Sequence, residues 1–503
     1  MMSHKIVFFF VSFCFLMPHI KAQSISSKLI DEETKETIPF ATILLNKTTD
    51  GTVSNIEGAF SIQFNKDLVS TDSLFISCMG YEEKVISATS HVDSIIYLKP
   101  KTFELNSVLV TNKVYTVDEI IDNVVDNFEN NHGYTYAKKQ LFLRESFHQR
   151  IKKFDLQLKK STIAEITRES LDSVEESMPR YVEVYNESLF DVYENKEEST
   201  SKINITKMLL LEDESINSSF EDIGEKVIGV LSRNVKKGSY LKFKSGIIPL
   251  QNKVSVDSIQ SEYKKDQEKE SNEFDKEGKE QVFGFKKEII NNALYEVLSI
   301  NDSEIDVVEK HRKYKFTKEG HIDIGDNIAY IISFVPNGGA DFIGKMYINM
   351  DDFAVLRIDV ENSKPVFDKK FNMFGIHFNH LGYKNTVMFS KENNNYQIKY
   401  LKKEEIISFA LNRPLKIIEK NKQVKGRRKQ NEVSLDLETE MVGTITKEMI
   451  VNSNSIISKN EFESFKENKD FKMERLTKYD PSFWSGYNII APENAIKEFE
   501  ISE

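Results

Sequence analysis

Cysteine is nearly missing from this chain, with 2 in 503 residues, Cys14 and Cys78. Cys14 falls in a segment expected to be removed, so no internal disulfide framework holds the fold, which must rest on apolar burial. Tryptophan occurs once, at Trp484, beside 35 Phe and 19 Tyr. With only 10 Pro and 20 Gly, collagen-like and low-complexity classes are excluded. An excess of positive charge is also lacking. The formal net charge is −11, and −13 once Lys5 and Lys21 leave with the N-terminal segment, which excludes non-specific binding to nucleic acid or anionic membrane. Beyond that segment no apolar run approaches the roughly 20 residues of a membrane-spanning helix. Sequences of the Gly-x-Ser-x-Gly, P-loop, dinucleotide-fingerprint, calcium-loop and His-Glu-x-x-His types do not occur.

What is present begins with Lys5, the short apolar run "IVFFFVSFCFLMPHI" and "KAQS", which predict a signal peptide over residues 1–22 cut after Ala22. Val11, Ser12 and Phe13 ahead of Cys14 do not form the small-residue approach of a lipid-anchored cysteine.

From Ser24 to Pro100 short alternating strands are separated by turn residues, the pattern of a small seven-stranded-type β-sandwich over 23–100. In "PFATILLN", Ala41, Ile43 and Leu45 point one way, and in "AFSIQF" Phe60, Ile62 and Phe64 form the apolar face. Asp50-Gly51 and Glu57-Gly58 are expected to supply positive φ, leaving Asn55 and Glu57 as a polar apex on a short exposed segment. The ordered segments "KLIDEETKETIPFATILL", "DGTVSNIEGAFSI", "DSLFISCMGYEEKVI" and "SIIYLKP" resemble the carboxypeptidase-regulatory-like β-sandwich, a transthyretin-like module of exported Bacteroidota proteins. Gly51, Gly58, Phe60 and Gly80-Tyr81 carry the match, and "ELNSVLVTNK" resembles its usual sequel. The resemblance implies an interaction module without catalytic residues.

Residues 101–133 are expected to be a linker and an amphipathic helix. Val117, Ile120, Ile121, Val124, Val125 and Phe128 share one helical face, Thr116 and Glu119 make a capping box, and Gly133 ends the helix. A β-rich second domain is expected over 134–490, with a charged insert at about 261–281 and a C-terminal tail over 491–503. Its clearest part, from His311 to Glu361, reads as an antiparallel meander with turns at "KEG", "PNGGA" and "MDDF", and "MLLLEDESINSSFEDIGEKVIGVLSRN" contains a helix. Dense Lys and Glu favour a curved antiparallel sheet over a lipid-facing barrel. The fold class is thus mainly β with some α.

Chemistry is harder to find. None of the 9 histidines is followed three residues later by Glu or Gln, so the zinc carboxypeptidase ligand set is missing. His377 and His380 are flanked by apolar residues typical of a strand, and "IDIGD" (322–326) reads as a polar turn. Cys78 has no histidine near it in sequence and reads as a buried thiol. The basic stretch from Arg413 to Glu432 lacks interleaved aromatics and reads as a solvated hairpin tip, and Trp484 reads as core. No catalytic, cofactor-binding or metal-ligating residue is nominated. The expected function is a non-enzymatic envelope binding or assembly protein, periplasmic or outer-membrane associated, whose partner is an envelope protein or an apolar ligand. A hydrolase with scattered residues, a lipid carrier and a surface adhesin stay open as alternatives.

Overall fold

The computed structural model describes residues 23–48, 51–64, 67–90, 92–101, 114–245, 248–255, 276–324, 327–364, 371–373, 375–392, 394–421, 423 and 428–499. The signal-like segment, Asp50, "ELNSVLVTNK", most of the charged insert and residues 500–503 lie outside them.

The N-terminal strands are β1 (Gln23–Asp31), β2 (Thr42–Leu45), β3 (Gly51–Val53), β4 (Ala59–Phe64), β5 (Ser73–Ser77), β6 (Lys84–Ser87) and β7 (Ile95–Leu98). They form a 3-stranded sheet, β4-β1-β7, and a 4-stranded sheet, β3-β2-β5-β6. Alternation places Ile43, Leu45, Phe60, Ile62, Leu74, Ile76 and Leu98 in one core between them. Each such side chain contributes about 2 kcal/mol of burial, the main favourable term in a sandwich without a disulfide. Gly58 has φ +76, as expected for its turn, and a Cβ there would meet the Leu29 carbonyl at 2.5 Å. Gly51 serves differently. It begins β3 without a positive φ, and glycine is needed because a Cβ would lie 2.3 Å from the Ile43 carbonyl.

Helix α1 (Val117–His132) starts as expected, with Thr116 and Glu119 in a reciprocal capping box. Ile120, Ile121, Val124 and Phe128 are buried. Gly133 follows in an extended conformation, not a left-handed one, and its missing Cβ spares the Glu129 carbonyl a 2.4 Å approach.

The remaining strands are β8 (Tyr136–Ser161), β9 (Tyr181–Asn195), β10 (Thr200–Glu212), β11 (Tyr240–Ser245), β12 (Ile248–Ser255), β13 (Tyr314–Ile324), β14 (Asn327–Pro336), β15 (Phe342–Asn349), β16 (Val355–Asn362), β17 (Phe371–Met373), β18 (Ile376–Glu392), β19 (Asn395–Lys420), β20 (Lys429–Ile456) and β21 (Met473–Leu476). All 14 belong to one open sheet whose main path runs β13-β14-β15-β16-β18-β19-β20-β8-β9-β10-β21. Pairing is antiparallel except for β10 with β21. The "KEG" turn is not a turn. β13 continues through it with a register shift between Lys318 and Gly320, and the reversal falls at the Ile324–Asn327 pair inside "IDIGDN". "QLFLRESF" and "FDLQLKK" belong to a single strand, β8, of 26 residues. "MLLLE" completes β10.

The helices beside this sheet are α2 (Arg168–Ser177), α3 (Glu214–Asn234), α4 (Lys276–Asn291), α5 (Lys459–Ser464) and α6 (Asn494–Lys497). One face of the sheet packs on α1 and α4, with Val124, Phe128, Leu143, Phe190, Ile290 and Leu401 in a common core. Side chains fill the space between this face and the two helices. At the far end α2 and α3 pack over Leu156, Val433 and Leu435.

The opposite face carries Phe142, Leu189, Tyr400 and Ile450, covered by Trp484, Ile489, Ile490 and, from the sandwich, Val53. The β3–β4 segment is therefore a seam and not an exposed apex. Asn55 is fully buried. Its side-chain amide donates to the Ala491 carbonyl at 3.0 Å, while its oxygen accepts from the amides of Glu57 (3.0 Å) and Ala59 (2.9 Å). Glu57 accepts from the Asn494 amide at 3.1 Å, and Gln63 bonds to both Asn488 and Trp484.

Candidate ligand cleft

At the end of α1 the chain leaves the helix toward β8, and α4 runs into a π-helical turn over Asn292–Glu296. Together with the β9–β10 turn and the start of β19 these segments border a cleft of about 970 Å³. That is the upper end of the roughly 300–1,000 Å³ range typical of small-molecule sites. Backbone irregularity is present here. Ser199 (φ 48) and Asp302 (φ 50), both in the lining, hold left-handed backbone conformations, and π-turns are enriched at functional sites.

The floor is a buried ionic group. Tyr134 Oη lies 2.9 Å from both carboxylate oxygens of Glu194, and Lys139 Nζ donates to Tyr134 Oη at 2.9 Å while pairing directly with Glu194. Lys139 and Glu194 are both buried, so each charge is stabilised by the other and by the phenol, and Glu194 also by the nearby Lys196. Burial pushes the Tyr134 hydroxyl well above its ordinary value, and the adjacent carboxylate reinforces this. Lys196 packs its ammonium over the rings of Tyr295 (5.3 Å) and Tyr134 (5.9 Å), and burial pulls it below the usual lysine value.

Two side chains of the wall stand out. His132, in the last turn of α1, is buried, which lowers its pKa to about 4 and keeps the imidazole neutral. Its Nδ1 is 3.1 Å from the Tyr396 carbonyl, an acceptor, so the proton resides on Nδ1 and Nε2 presents a lone pair. Next in sequence to Tyr396, Gln397 uses its carbonyl oxygen to accept from Asn454 Nδ2 at 2.7 Å. Neither His132 Nε2 nor Gln397 Nε2 finds a hydrogen-bond partner among the described residues. Buried polar atoms left so cost about 1–3 kcal/mol each, an expense that a bound polar molecule removes. The wall offers one acceptor and one donor to a ligand. The imidazole proton is committed to a carbonyl, and the buried Glu194 carboxylate beneath the wall to a lysine.

The residues weighed from sequence lie elsewhere. His377 and His380 sit three apart on β18, hence on opposite faces of the strand, where they cannot share an ion. Cys78 follows β5, half-buried, and burial pushes its thiol up to about 11. In the basic stretch Lys416 pairs with Glu432 at 2.8 Å and Arg413 donates to the Ser245 carbonyl at 2.8 Å. Trp484 is core, as expected, its Nε1 donating to Glu187 at 2.5 Å. The cleft itself joins residues from 132 to 397 in no recognisable spacing. The one local signal was His132, a histidine in the final turn of a well-marked helix.

The fold defines a small β-sandwich seated on a large open antiparallel sheet. Residues 25–110 match the family model of the CarboxypepD_reg-like domain, so the N-terminal part of the chain carries a domain of that family. No curated protein matches the sequence. Among solved structures, the MucA/MucB complex of Pseudomonas aeruginosa aligns at 6% identity over 65% of this chain and 93% of that one, with a TM-score of 0.16. The P. putida toluene transporter TodX aligns at 8% over 66% and 93%, with a TM-score of 0.12. Likeness at that level carries no argument. No described helix is long and apolar enough to cross a membrane.

Proposed function

We propose that this chain is a non-enzymatic cell-envelope binding protein that takes a small polar ligand in the cleft between α1, α4 and β19. The observation that carries the reading is the pair of buried atoms, His132 Nε2 and Gln397 Nε2, left without partners among the described residues in the wall of one cleft. The signal-like residues 1–22 and the regulatory-like module support an exported location. The sandwich then acts as a fixed wing whose docked β3–β4 end braces the sheet.

Protein-free small-molecule extract of the envelope, fractionated and added to the purified chain, is expected to raise its melting temperature in at least one fraction. The active compound should be recovered unchanged. Recovery of a cleaved compound would replace the binding reading with the hydrolase reading, and no shift with any fraction would remove it. A second reading, assembly on an envelope protein, is favoured by Val85 (50% exposed), Ile95 (38%) and Tyr97 (42%) at the β6 and β7 edges. Val85→Lys would abolish co-purification of such a partner while leaving the extract-induced shift intact.

A further inference from the structure

We propose that the ligand of this cleft is a neutral saccharide, an inference that rests on the binding reading above and adds the chemical class. The wall asks for two complementary things. His132 Nε2 needs a donor and Gln397 Nε2 needs an acceptor, and neither finds one among the described residues. A hydroxyl group both donates and accepts, so a molecule carrying several of them satisfies both with one kind of group.

Charge narrows the class. Glu129, Glu197, Glu288, Glu296 and Asp302 line the cleft. Of the three lysines there, Lys139 is neutralised by Glu194, Lys287 is paired with Glu467 at 2.8 Å, and Lys196 lies over the Tyr134 and Tyr295 rings, one ammonium against five carboxylates. The lining is therefore net negative and repels phosphates and uronates. Half-buried Phe389 adds ring surface against which the C–H face of a sugar can lie.

The test is saturation-transfer NMR and calorimetry on the full chain with maltotriose, cellotriose and N,N′,N″-triacetylchitotriose, and with trigalacturonate as the acidic comparator. At least one neutral trisaccharide is expected to bind, with trigalacturonate weaker by roughly tenfold at low salt. Gln397→Leu and His132→Phe should each weaken binding by roughly tenfold, the loss of about one hydrogen bond. Should either variant fail to fold, hydrogen exchange on the wild type supplies the readout, with protection rising in 128–134 and 292–302 when the sugar binds. Failure of every neutral trisaccharide to bind at millimolar concentration, tighter binding of trigalacturonate, or unchanged affinity in both folded variants overturns the proposal. An envelope fraction that raises the melting temperature while no saccharide binds would overturn the sugar assignment and leave the binding reading standing.

Discussion

At the residue scale the cleft stores unfavourable chemistry that the rest of the fold tolerates. His132 is the clearest case. Its folded pKa of about 4 lies below the usual 6.5, so between those values the unfolded chain holds the extra proton and falling pH drains stability. Above pH 6.5 this residue contributes no pH dependence. Urea titrations at pH 7 and pH 4.5 should show His132→Phe losing less stability over that interval than the wild type, by on the order of 2–3 kcal/mol. An equal loss in both would place the imidazole in water. The Lys139–Glu194 pair makes a second prediction. Lys139→Met strands a buried carboxylate and should cost about 3 kcal/mol or more, whereas Lys139→Met with Glu194→Leu should recover most of it. Chemical denaturation of the three variants measures the difference.

At the element scale, periodicity and capping decide what can be read from sequence. α1 was legible because Thr116, Glu119 and the apolar positions agree, and Thr116→Ala should lower stability by about 1 kcal/mol in denaturant titration. The sandwich strands were legible for the same reason, through the alternation of Phe60, Ile62 and Phe64. Turns were less so. "KEG" has turn residues, yet β13 absorbs them as a register shift, because pairing with β14 on both sides outweighs local preference. The length of β8 was hidden too, since its two apolar stretches are joined by polar residues that sit in the middle of the sheet.

At the scale of the whole molecule, what escaped the sequence is what joins distant segments. Nothing near Asn55 announces Ala491, and nothing near His132 announces Tyr396 and Gln397; the first meeting depends on the C-terminal segment returning to the seam and the second on α1 packing against β19. Because that seam is buried and hydrogen-bonded, the sandwich and the sheet should unfold in one calorimetric transition. Asn55→Ala should split or broaden it and speed amide exchange over 488–492; two separated transitions in the wild type would contradict the seam. The central claim is that His132 and Gln397 together meet a ligand. The most direct test is ¹⁵N NMR of the His132 imidazole and the Gln397 side-chain amide, recorded as the stabilising envelope fraction is added. Both signals are predicted to shift together and saturate at the same ligand concentration, and a fraction that stabilises the protein while leaving both unmoved would contradict the account.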